Sequence, residues 1–394
     1  MSELSVAVVG AGIGGLTTAL ALARQGHAIT LIERRTGFSE VGAGLQLSPN
    51  ASRILIDLGL GAALRRAATE PARVVVRSIR SGRQIGQVAL GPFMRSRFGA
   101  PYWVIHRADL QTILLDAVRS TPTIRLLIGR KVEEVHDGPF TASVTMTTQG
   151  GARETLSVDA VIGADGVWSK VRAALGETAS PAFRGYVAWR ATLDRSAAPA
   201  PLAGDETGLW LGPRGHVVHY PVASGRLVNV VAIERAPEPV EGWAAPGDGS
   251  ELQSHYASAA PALQKLLAQP SQWLRWSLFD LPATTLVKGR IALLGDAAHP
   301  VLPFLAQGAA LAIEDAATLA LLMTDAGRIP QAFATYAEKR LDRVRKVQGE
   351  ARQNGRVYHM GGLMAFGRNQ VMRHLGPEGM TERYSWLYDF RPTA

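Results

Sequence analysis

The sequence contains no cysteine, so disulfide bonds, metal sites built from thiolates and a catalytic thiol are all excluded. It also has no uninterrupted apolar run of about eighteen residues, the length that a membrane-spanning helix needs. The first residues have the pattern of a strand rather than that of a secretory signal. We therefore expect a cytoplasmic protein that makes no contact with membranes.

Two other kinds of site also lack support in the sequence. No spacing of histidine and carboxylate residues indicates a metal site, and the Gly-x-Ser-x-Gly turn of many hydrolases does not occur. The net charge of +9 invites a nucleic-acid partner, but the basic residues are scattered apart from a denser run between Lys339 and Arg356. Because that run has helical spacing, we interpret it as a solvated helix face and predict no nucleic-acid partner.

The stretch from Val6 to Glu33 predicts a strand, a glycine turn, a helix and a second strand. Gly10, Gly12 and Gly15 have the spacing G-x-G-x-x-G, which permits a tight turn and lets backbone approach a pyrophosphate at the helix N-terminus. Glu33 ends the second strand, eighteen residues after Gly15, where a carboxylate can accept hydrogen bonds from ribose hydroxyls. The pattern predicts a dinucleotide site, and a turn that merely reverses the chain is the alternative.

Two more glycine turns follow apolar strands, at residues 163–166 and 295–298. Between them, residues 180–285 form separated strands rich in aromatic residues, which predicts an inserted, mostly antiparallel sheet. The predicted domains are therefore residues 1–179 and 286–394 for the two parts of a nucleotide-binding domain, and 180–285 for the inserted sheet. The predicted fold class is α/β, with a Rossmann-like domain, the inserted sheet and a C-terminal helical region.

Two local predictions depend on short stretches of sequence. We expect Asn50 to cap a helix over residues 51–58 that ends at Gly59. We also expect a single strand over residues 157–162.

Five motifs are spread over nearly the whole chain. They are Gly10-Ala-Gly-Ile-Gly-Gly15, Gly42-Ala-Gly-Leu-Gln46, His106-Arg-Ala-Asp-Leu110, Gly163-Ala-Asp-Gly-Val-Trp-Ser-Lys-Val-Arg172 and Gly295-Asp-Ala-Ala-His-Pro300. With them the chain resembles the single-component, FAD-dependent aromatic hydroxylases, most closely their salicylate hydroxylase and 3-hydroxybenzoate 6-hydroxylase branch. The resemblance implies an FAD-binding domain, NADH or NADPH as a transient co-substrate, and O2 as the oxidant.

The resemblance also implies a cofactor-binding role for a set of residues. They are Gly10, Gly12, Gly14, Gly15, Glu33, Arg34, Gly44, Arg107, Asp165, Gly166, Asp296 and Gly308. Arg107 would reach the FAD phosphate or ribityl region, and Asp296 would accept hydrogen bonds from the ribityl chain. Asp165 and Gly166 would serve both FAD and the nicotinamide cofactor, although Asp165 can equally cap the helix that follows it.

In that family, reduced flavin and O2 give a C4a-hydroperoxide that hydroxylates an electron-rich ring. Deprotonating a phenol makes the ring more electron-rich, so the resemblance implies a general base. In the predicted strand, His216 shares one face with Val218 and Tyr220, while His219 points the other way. Family position favours His216 as a base with a pKa near neutrality, and a buried structural histidine is the alternative. Further candidates are Tyr220 and Gln307 for catalysis, and Gln46, Pro303, His216 and Tyr220 for binding the substrate.

The predicted substrate is a small hydroxylated aromatic or heteroaromatic acid of the salicylate or 3-hydroxybenzoate type. One alternative is a flavin hydroxylase of a larger lipid-like or antibiotic substrate. Another is a non-enzymatic flavin-binding sensor that meets a partner through its basic helix. Both NADH and NADPH, and both a monomer and a homodimer, stay open.

Overall fold

The computed structural model describes residues 3–38, 44–241 and 244–393. Its strands are β1 (Ser5–Val9), β2 (Ala28–Glu33), β3 (Gly44–Leu47), β4 (Arg73–Ser78), β5 (Gln84–Ala89), β6 (Trp103–His106), β7 (Ile124–Ile128), β8 (Arg130–Asp137), β9 (Ala142–Thr148), β10 (Arg153–Val158), β11 (Ala160–Gly163), β12 (Ala182–Asp194), β13 (Thr207–Gly212), β14 (Gly215–Val222), β15 (Leu227–Arg235), β16 (Ala245–Gly247), β17 (Trp273–Asp280), β18 (Val287–Lys288) and β19 (Ile291–Leu293). Its α-helices are α1 (Ile13–Ala23), α2 (Pro49–Leu55), α3 (Gly61–Ala67), α4 (Gly91–Phe98), α5 (Arg107–Arg119), α6 (Val171–Ala174), α7 (Gly249–His255), α8 (Pro261–Leu267), α9 (Gly308–Leu322), α10 (Ile329–Tyr358), α11 (Gly362–Glu382) and α12 (Ser385–Tyr388).

One sheet contains the three strands that end in glycine turns. Its order, within the described residues, is β18-β19-β11-β1-β2-β7, and its neighbours run parallel except for β18 and β19. Val9 lies beside Gly163, which lies beside Leu293, so the three strands end side by side. Because an open α/β sheet binds its ligand outside the carboxyl ends of its strands, the three turns meet where a ligand is expected. The predicted α/β fold is confirmed.

A second, larger sheet has the order β16-β17-β12-β15-β14-β13-β4-β5 in the part of the chain that the structure describes. Its neighbours are antiparallel except β13 and β4, which run parallel. The β4–β5 hairpin therefore belongs to this sheet, although its sequence lies within the predicted first domain, 1–179. Two separate stretches of chain build the inserted sheet, rather than residues 180–285 alone.

The prediction of one strand over residues 157–162 was wrong. β10 ends at Val158 and β11 begins at Ala160, and the two strands belong to different sheets. Between them, Oδ2 of Asp159 accepts the backbone N–H of Ser5 at 2.8 Å. That bond fixes the point where the chain crosses from one sheet to the other.

The helix predicted over residues 51–58 begins earlier and does not end at Gly59. Its N-cap is Ser48, so Asn50 lies inside the helix, fully buried, and is not the cap. The chain passes through a wider turn at Ile56–Leu60, where Gly59 has a φ of +88°, and continues into α3. Glycine adopts this left-handed conformation without the strain of a side chain, which lets two helices follow one another here.

The basic run on α10 is only partly the solvated face that its spacing predicted: Arg345, Lys346 and Arg356 are exposed, but Arg340 is not. Arg340 is fully buried, with Nη2 2.8 Å from Oε2 of Glu314 and Nε 2.7 Å from Oδ1 of Asp315. Arg343 places Nη2 2.7 Å from Oε1 of the same Glu314. Both acids belong to α9, which is otherwise largely apolar, so the arginines of α10 neutralise carboxylates that could not be buried alone.

The C-terminal segment packs against the same helix. The ammonium group of Lys346 lies 3.9 Å from the centre of the Trp386 ring. Further along α10, Nε of Arg352 lies 2.7 Å from Oδ2 of Asp280 at the end of β17. No helix within residues 3–38, 44–241 and 244–393 is both long and apolar enough to cross a membrane.

Candidate active site

A cleft follows the edge where the three glycine turns meet. It consists of three adjoining cavities, and Arg107 and Gly166 line all of them. We call the cavity beside Gly10, Gly12 and Glu33 the glycine end, the cavity beside Trp168 and Phe279 the mouth, and the cavity beside His216 and Tyr220 the histidine end. Their volumes are about 360, 630 and 320 Å³, respectively.

Two of the motif glycines, Gly10 and Gly15, are required by packing around the first turn, and Gly14 lies close to a side chain that can shift. Gly10 has a φ of +102°, and a side chain there would collide with the carbonyl group of Ala164. A Cβ on Gly15 would collide with the carbonyl oxygen of Gly10. A Cβ on Gly14 would lie 2.7 Å from Cδ1 of Leu294. Gly10 and Gly15 therefore hold the turn together, whatever the cleft contains.

Gly12 differs because a Cβ there would meet no atom within 4 Å. It is the N-cap of α1 and lines both the glycine end and the histidine end. Gly166, with a φ of +81°, faces similarly open space. Glycines that packing does not require, at a helix N-terminus and beside open space, fit a pyrophosphate that passes close to the backbone.

Glu33 stabilises the turn and also borders the glycine end. Its Oε2 accepts the N–H of Ala11 at 2.9 Å, and its Oε1 accepts the N–H of Arg35 at 2.9 Å. Each oxygen keeps a second lone pair, so the geometry permits the predicted hydrogen bonds from ribose hydroxyls. Arg34 is exposed and lines both the glycine end and the mouth.

Two carboxylates lie where the cavities adjoin. Oδ2 of Asp165 accepts the N–H of Lys170 at 2.7 Å, so Asp165 does cap α6 while it also lines the cleft. The side chain of Asp296 borders the cleft. Desolvation by the surrounding protein raises its pKa, whereas the charges of His299 and Arg107 act to lower it. Burial also raises the pKa of Asp165. Both carboxyl groups can accept hydrogen bonds from a ligand in the cleft.

The alternation predicted along β14 is confirmed. His216, Val218 and Tyr220 line the histidine end. His219 lies on the other face of the sheet, with its ring centre 6.4 Å from that of Trp210. Both histidines and Tyr220 are at most 4% exposed, so their side chains are shielded from bulk water.

Gly44 makes room for Tyr220, because a Cβ there would collide with the tyrosine ring. The N–H of Gly44 donates to Oδ1 of Asn229 at 2.8 Å, which attaches β3 to the larger sheet. Gln46 lies between two tyrosines, accepting a hydrogen bond from the hydroxyl of Tyr102 and sharing one with Tyr220. Burial raises the pKa of Tyr220, so its hydroxyl stays protonated and can donate. Residues 42 and 43 of this motif lie outside the described residues.

His216 is hydrogen-bonded on the side that faces away from the cavity. Its Nδ1 lies 2.9 Å from Nε2 of His359, the residue that ends α10. Burial, together with His359, lowers the pKa of His216 well below its usual range. The prediction of a pKa near neutrality was therefore wrong, and the ring is neutral at neutral pH. Nothing in the sequence near His359 signals this contact, because the two histidines are 143 residues apart.

Arg190 is a second functional candidate that sequence reasoning missed. In the sheet it pairs with Val231, which pairs with Val218, so the three share the face that carries His216 and Tyr220. Its guanidinium lies 4.9 Å from the centre of the Trp276 ring, and its Nε is buried without a hydrogen-bond partner among the described residues. An arginine within the apolar and aromatic run from Tyr186 to Ala191 was the signal that could have identified it.

The position of Gln307 does not fit its predicted catalytic role. Its Oε1 accepts a hydrogen bond from Nδ2 of Asn50 at 3.0 Å, and its Nε2 donates to Oγ of Ser48 at 2.9 Å. The side chain is 2% exposed and is not among the described residues that line the cleft. Pro303 and Gly308, in contrast, do line the histidine end. Gln307 therefore holds the loop before α9 in position, because its amide is occupied within the protein.

Comparisons with known proteins agree with this arrangement. The chain matches the FAD binding domain family over residues 3–351. It is 35% identical to the 3-hydroxybenzoate 6-hydroxylase of Polaromonas naphthalenivorans over 391 residues, which cover 98% of this chain and 96% of that enzyme.

Two solved structures share the fold. HpxO of Klebsiella pneumoniae, in complex with FAD and uric acid, has a TM-score of 0.84 and 28% identity over 96% of this chain and 95% of its own. A salicylate hydroxylase in complex with its substrate has a TM-score of 0.82 and 26% identity over 99% of this chain and 96% of its own. The open glycines and paired carboxyl groups of the cleft fit FAD. The chain belongs to the FAD binding domain family and, within it, to the FAD-dependent aromatic hydroxylases, so it is a flavoprotein monooxygenase.

Proposed function

We propose that this enzyme hydroxylates a small aromatic acid that carries a ring hydroxyl, of the salicylate or 3-hydroxybenzoate type. The glycine end takes the ADP part of FAD, and Asp296 and Gly308 border its flavin ring. The substrate occupies the histidine end. The continuity of the three cavities through Arg107 supports this assignment, because FAD is long enough to need more than one of them.

The observation that carries the proposal is the pairing of a neutral histidine with the half-buried cation Arg190 on one face of the sheet. His216 can accept the proton of a ring hydroxyl through the nitrogen that His359 does not occupy. Arg190 stays charged because arginine does not deprotonate in proteins, so it favours an anion in this cavity. A hydroxybenzoate presents both of the groups that these residues recognise.

Bound FAD, once reduced by NADH or NADPH, would activate O2 for transfer of one oxygen atom to the ring, and the protein supplies orientation and protection from water. Tyr220 donates a hydrogen bond from its protonated hydroxyl. His216 removes the proton of the ring hydroxyl and so makes the ring more nucleophilic. The mouth, with Asp165, Gly166 and Trp168, is the part of the cleft where the nicotinamide cofactor can approach.

The size of the histidine end favours a small substrate. This cavity of about 320 Å³ is lined both by the first glycine turn and by His216. The substrate ring and the edge of the flavin would therefore occupy it together. A larger lipid-like or antibiotic substrate would need the sheet face that carries His216 and Tyr220 to move away from the first glycine turn. The sensor alternative is weakened because Arg340 and Arg343, in the basic run that it requires, are engaged with Glu314.

A substrate panel tests the proposal. Purified holoenzyme is mixed with salicylate, 3-hydroxybenzoate, neutral phenols and a bulky polycyclic phenol, and NADH or NADPH oxidation is compared with the mass of the product. We expect product with one oxygen added from a small hydroxybenzoate. Oxygenated product from the bulky phenol alone, or peroxide with no oxygenated product from any compound, would contradict the proposal.

A further inference from the structure

The hydrogen bond between His216 and His359 lies between the histidine end and a second cleft on the outer surface. The surface cleft has a volume of about 830 Å³ and is lined by Arg214, Arg235, Met360 and Arg368, among others. Arg214 is exposed, and Met360 directly follows His359 in the chain. His359 therefore lies behind His216 as seen from the substrate, on the side toward solvent.

Aromatic side chains enclose the two histidines. The ring centre of His216 lies 5.4 Å from that of Phe304 and 5.2 Å from that of Tyr358. The ring centre of His359 lies 5.4 Å from that of Tyr186. Such walls keep water away from the hydrogen bond between the two histidines. A proton on His216 can therefore return to the substrate or pass to His359.

We propose that His359 relays the substrate's proton from His216 to the surface cleft. The hydroxyl O–H bond of the substrate breaks and its proton forms an N–H bond at Nε2 of His216. The N–H bond at Nδ1 of His216 then breaks, and that proton joins Nε2 of His359. His359, which carries a hydrogen on Nδ1, becomes a cation and releases the Nδ1 proton to water that reaches it from the surface cleft. The reverse path returns a proton to the product.

The relay resolves a physical difficulty in the proposed function, on which it rests. Burial lowers the pKa of His216 well below its usual range, so a lone His216 would hold the proton poorly. Passing the proton on leaves His216 neutral before and after the transfer. His359 is 8% exposed, and its Nδ1 is buried without a hydrogen-bond partner among the described residues, so the outward step runs through the surface cleft that begins at the adjoining Met360.

The groups that face His359 favour rapid release of the proton. Burial, Arg235 and Arg368 lower the pKa of His359 to about 4, so its cation is short-lived at neutral pH. Besides the residues that face the substrate, the titratable side chains that pack around the two histidines in the described structure are Tyr186 and Tyr358. His359 is thus a positioning residue that acts through His216 and does not touch the substrate.

Two substitutions separate the relay from packing. His359→Gln can keep a hydrogen bond to His216 but cannot pass a proton on, and His359→Phe keeps the ring volume without any hydrogen bond. His374→Gln is the matched control, since His374 is exposed on α11. FAD content and the rate of flavin reduction by NADH show whether each variant is intact.

The decisive readout is the rate at which 3-hydroxybenzoate, bound to the holoenzyme, ionises after a jump in pH, followed by phenolate absorbance. We expect both His359 variants to slow it by about 10-fold or more, because one proton-transfer group is removed. The losses from His216→Gln and His359→Gln should not multiply in the double variant, because the two residues act in series. Hydroxylation should fall less for fluorinated analogues, whose phenols are more acidic.

The outcomes distinguish the two proposals. If wild-type enzyme hydroxylates 3-hydroxybenzoate or salicylate and both His359 variants ionise it at the wild-type rate, the relay is wrong and the proposed function stands. Multiplying losses in the double variant would also overturn the relay. If wild-type enzyme hydroxylates no aromatic acid, the proposed function is wrong and the relay falls with it.

Discussion

The glycine end and the histidine end of the cleft differ in the exposure of the side chains that line them. At the glycine end, backbone, the half-buried Glu33 and the exposed Arg34 face the cavity, and water can reach them. At the histidine end, His216 and Tyr220 are at most 4% exposed and lie among aromatic rings. Exposed charged groups suit a solvated nucleotide, whereas buried side chains interact more strongly with a charged substrate because water screens them less.

The same difference governs protonation. Burial lowers the pKa of His216 and raises that of Tyr220, so the histidine end contains a neutral acceptor beside a protonated donor. Arg190 keeps its charge there and favours an acid. Changes at the glycine end should therefore remove the cofactor, and changes at the histidine end should leave the cofactor in place while they impair the chemistry.

The largest effect is expected from Gly15→Ala. The added Cβ would collide with the carbonyl oxygen of Gly10, so the first turn must distort at a cost of about 1–3 kcal/mol or more. We expect purified protein with almost no FAD, measured by its visible absorbance. Gly12→Ala is the matched variant: its Cβ meets no protein atom, so thermal stability of the apoprotein should persist while FAD binds more weakly. Equal losses of apoprotein stability in both variants would contradict the distinction.

The next effect concerns the two histidines of β14. His216→Gln should lower kcat for hydroxylation by about 100- to 10,000-fold, the usual contribution of a general base, with FAD content unchanged. His219→Leu should leave kcat within about 3-fold, because a packing change beside Trp210 on the opposite face of the sheet does not reach the cavity. Steady-state kinetics with the best substrate of the panel measures both. Similar losses of kcat in the two variants would show that the face of the strand does not matter.

Arg190→Met should affect acids more than neutral phenols. Removing a charged hydrogen bond worth about 1.5–3 kcal/mol weakens binding of a hydroxybenzoate by about 10- to 100-fold. Binding of a neutral phenol should change little, because it never made that interaction. Dissociation constants from flavin absorbance titrations give the comparison. If both ligands weaken equally, Arg190 acts on the flavin or on packing rather than on the carboxylate.

The smallest effect is on stability in mild acid. Burial lowers the pKa of His219 to about 4, whereas an unfolded histidine has a pKa of about 6.5. The unfolded state therefore binds the proton first, and stability is lost as pH falls from about 6.5 toward 4, by up to about 3 kcal/mol. Urea unfolding at pH 7 and pH 5 should show a smaller loss in His219→Leu than in wild type. An unchanged loss would mean that His219 does not contribute.

The glycine end was predictable because its residues are close together in sequence. Gly10 to Glu33 form one strand-turn-helix-strand unit, and the spacing of its glycines follows from backbone collisions within that unit. The face of β14 was predictable for a similar reason, since side chains alternate along any strand. The role of Gly12 as the open position required the structure, because spacing alone does not separate it from the glycines needed for packing.

The rest of the site depends on contacts between distant stretches of chain. The hairpin at residues 73–89 joins the larger sheet through a parallel pairing of Val75 with Gly208, which no local pattern indicates. The helical spacing of α10 showed which residues share a face, but not that α9 presents buried carboxylates to Arg340. His359 was missed because α10 brings it to His216 only after the whole helix has packed.

The most direct test of the account is the amount of hydroxylated product per NADH consumed in the His216→Gln holoenzyme, measured together with the rate of flavin reduction. We predict a wild-type reduction rate and a product yield close to zero, because the cofactor site is intact and the proton acceptor is gone. A product yield equal to that of wild type would contradict the central claim that the histidine end performs the chemistry.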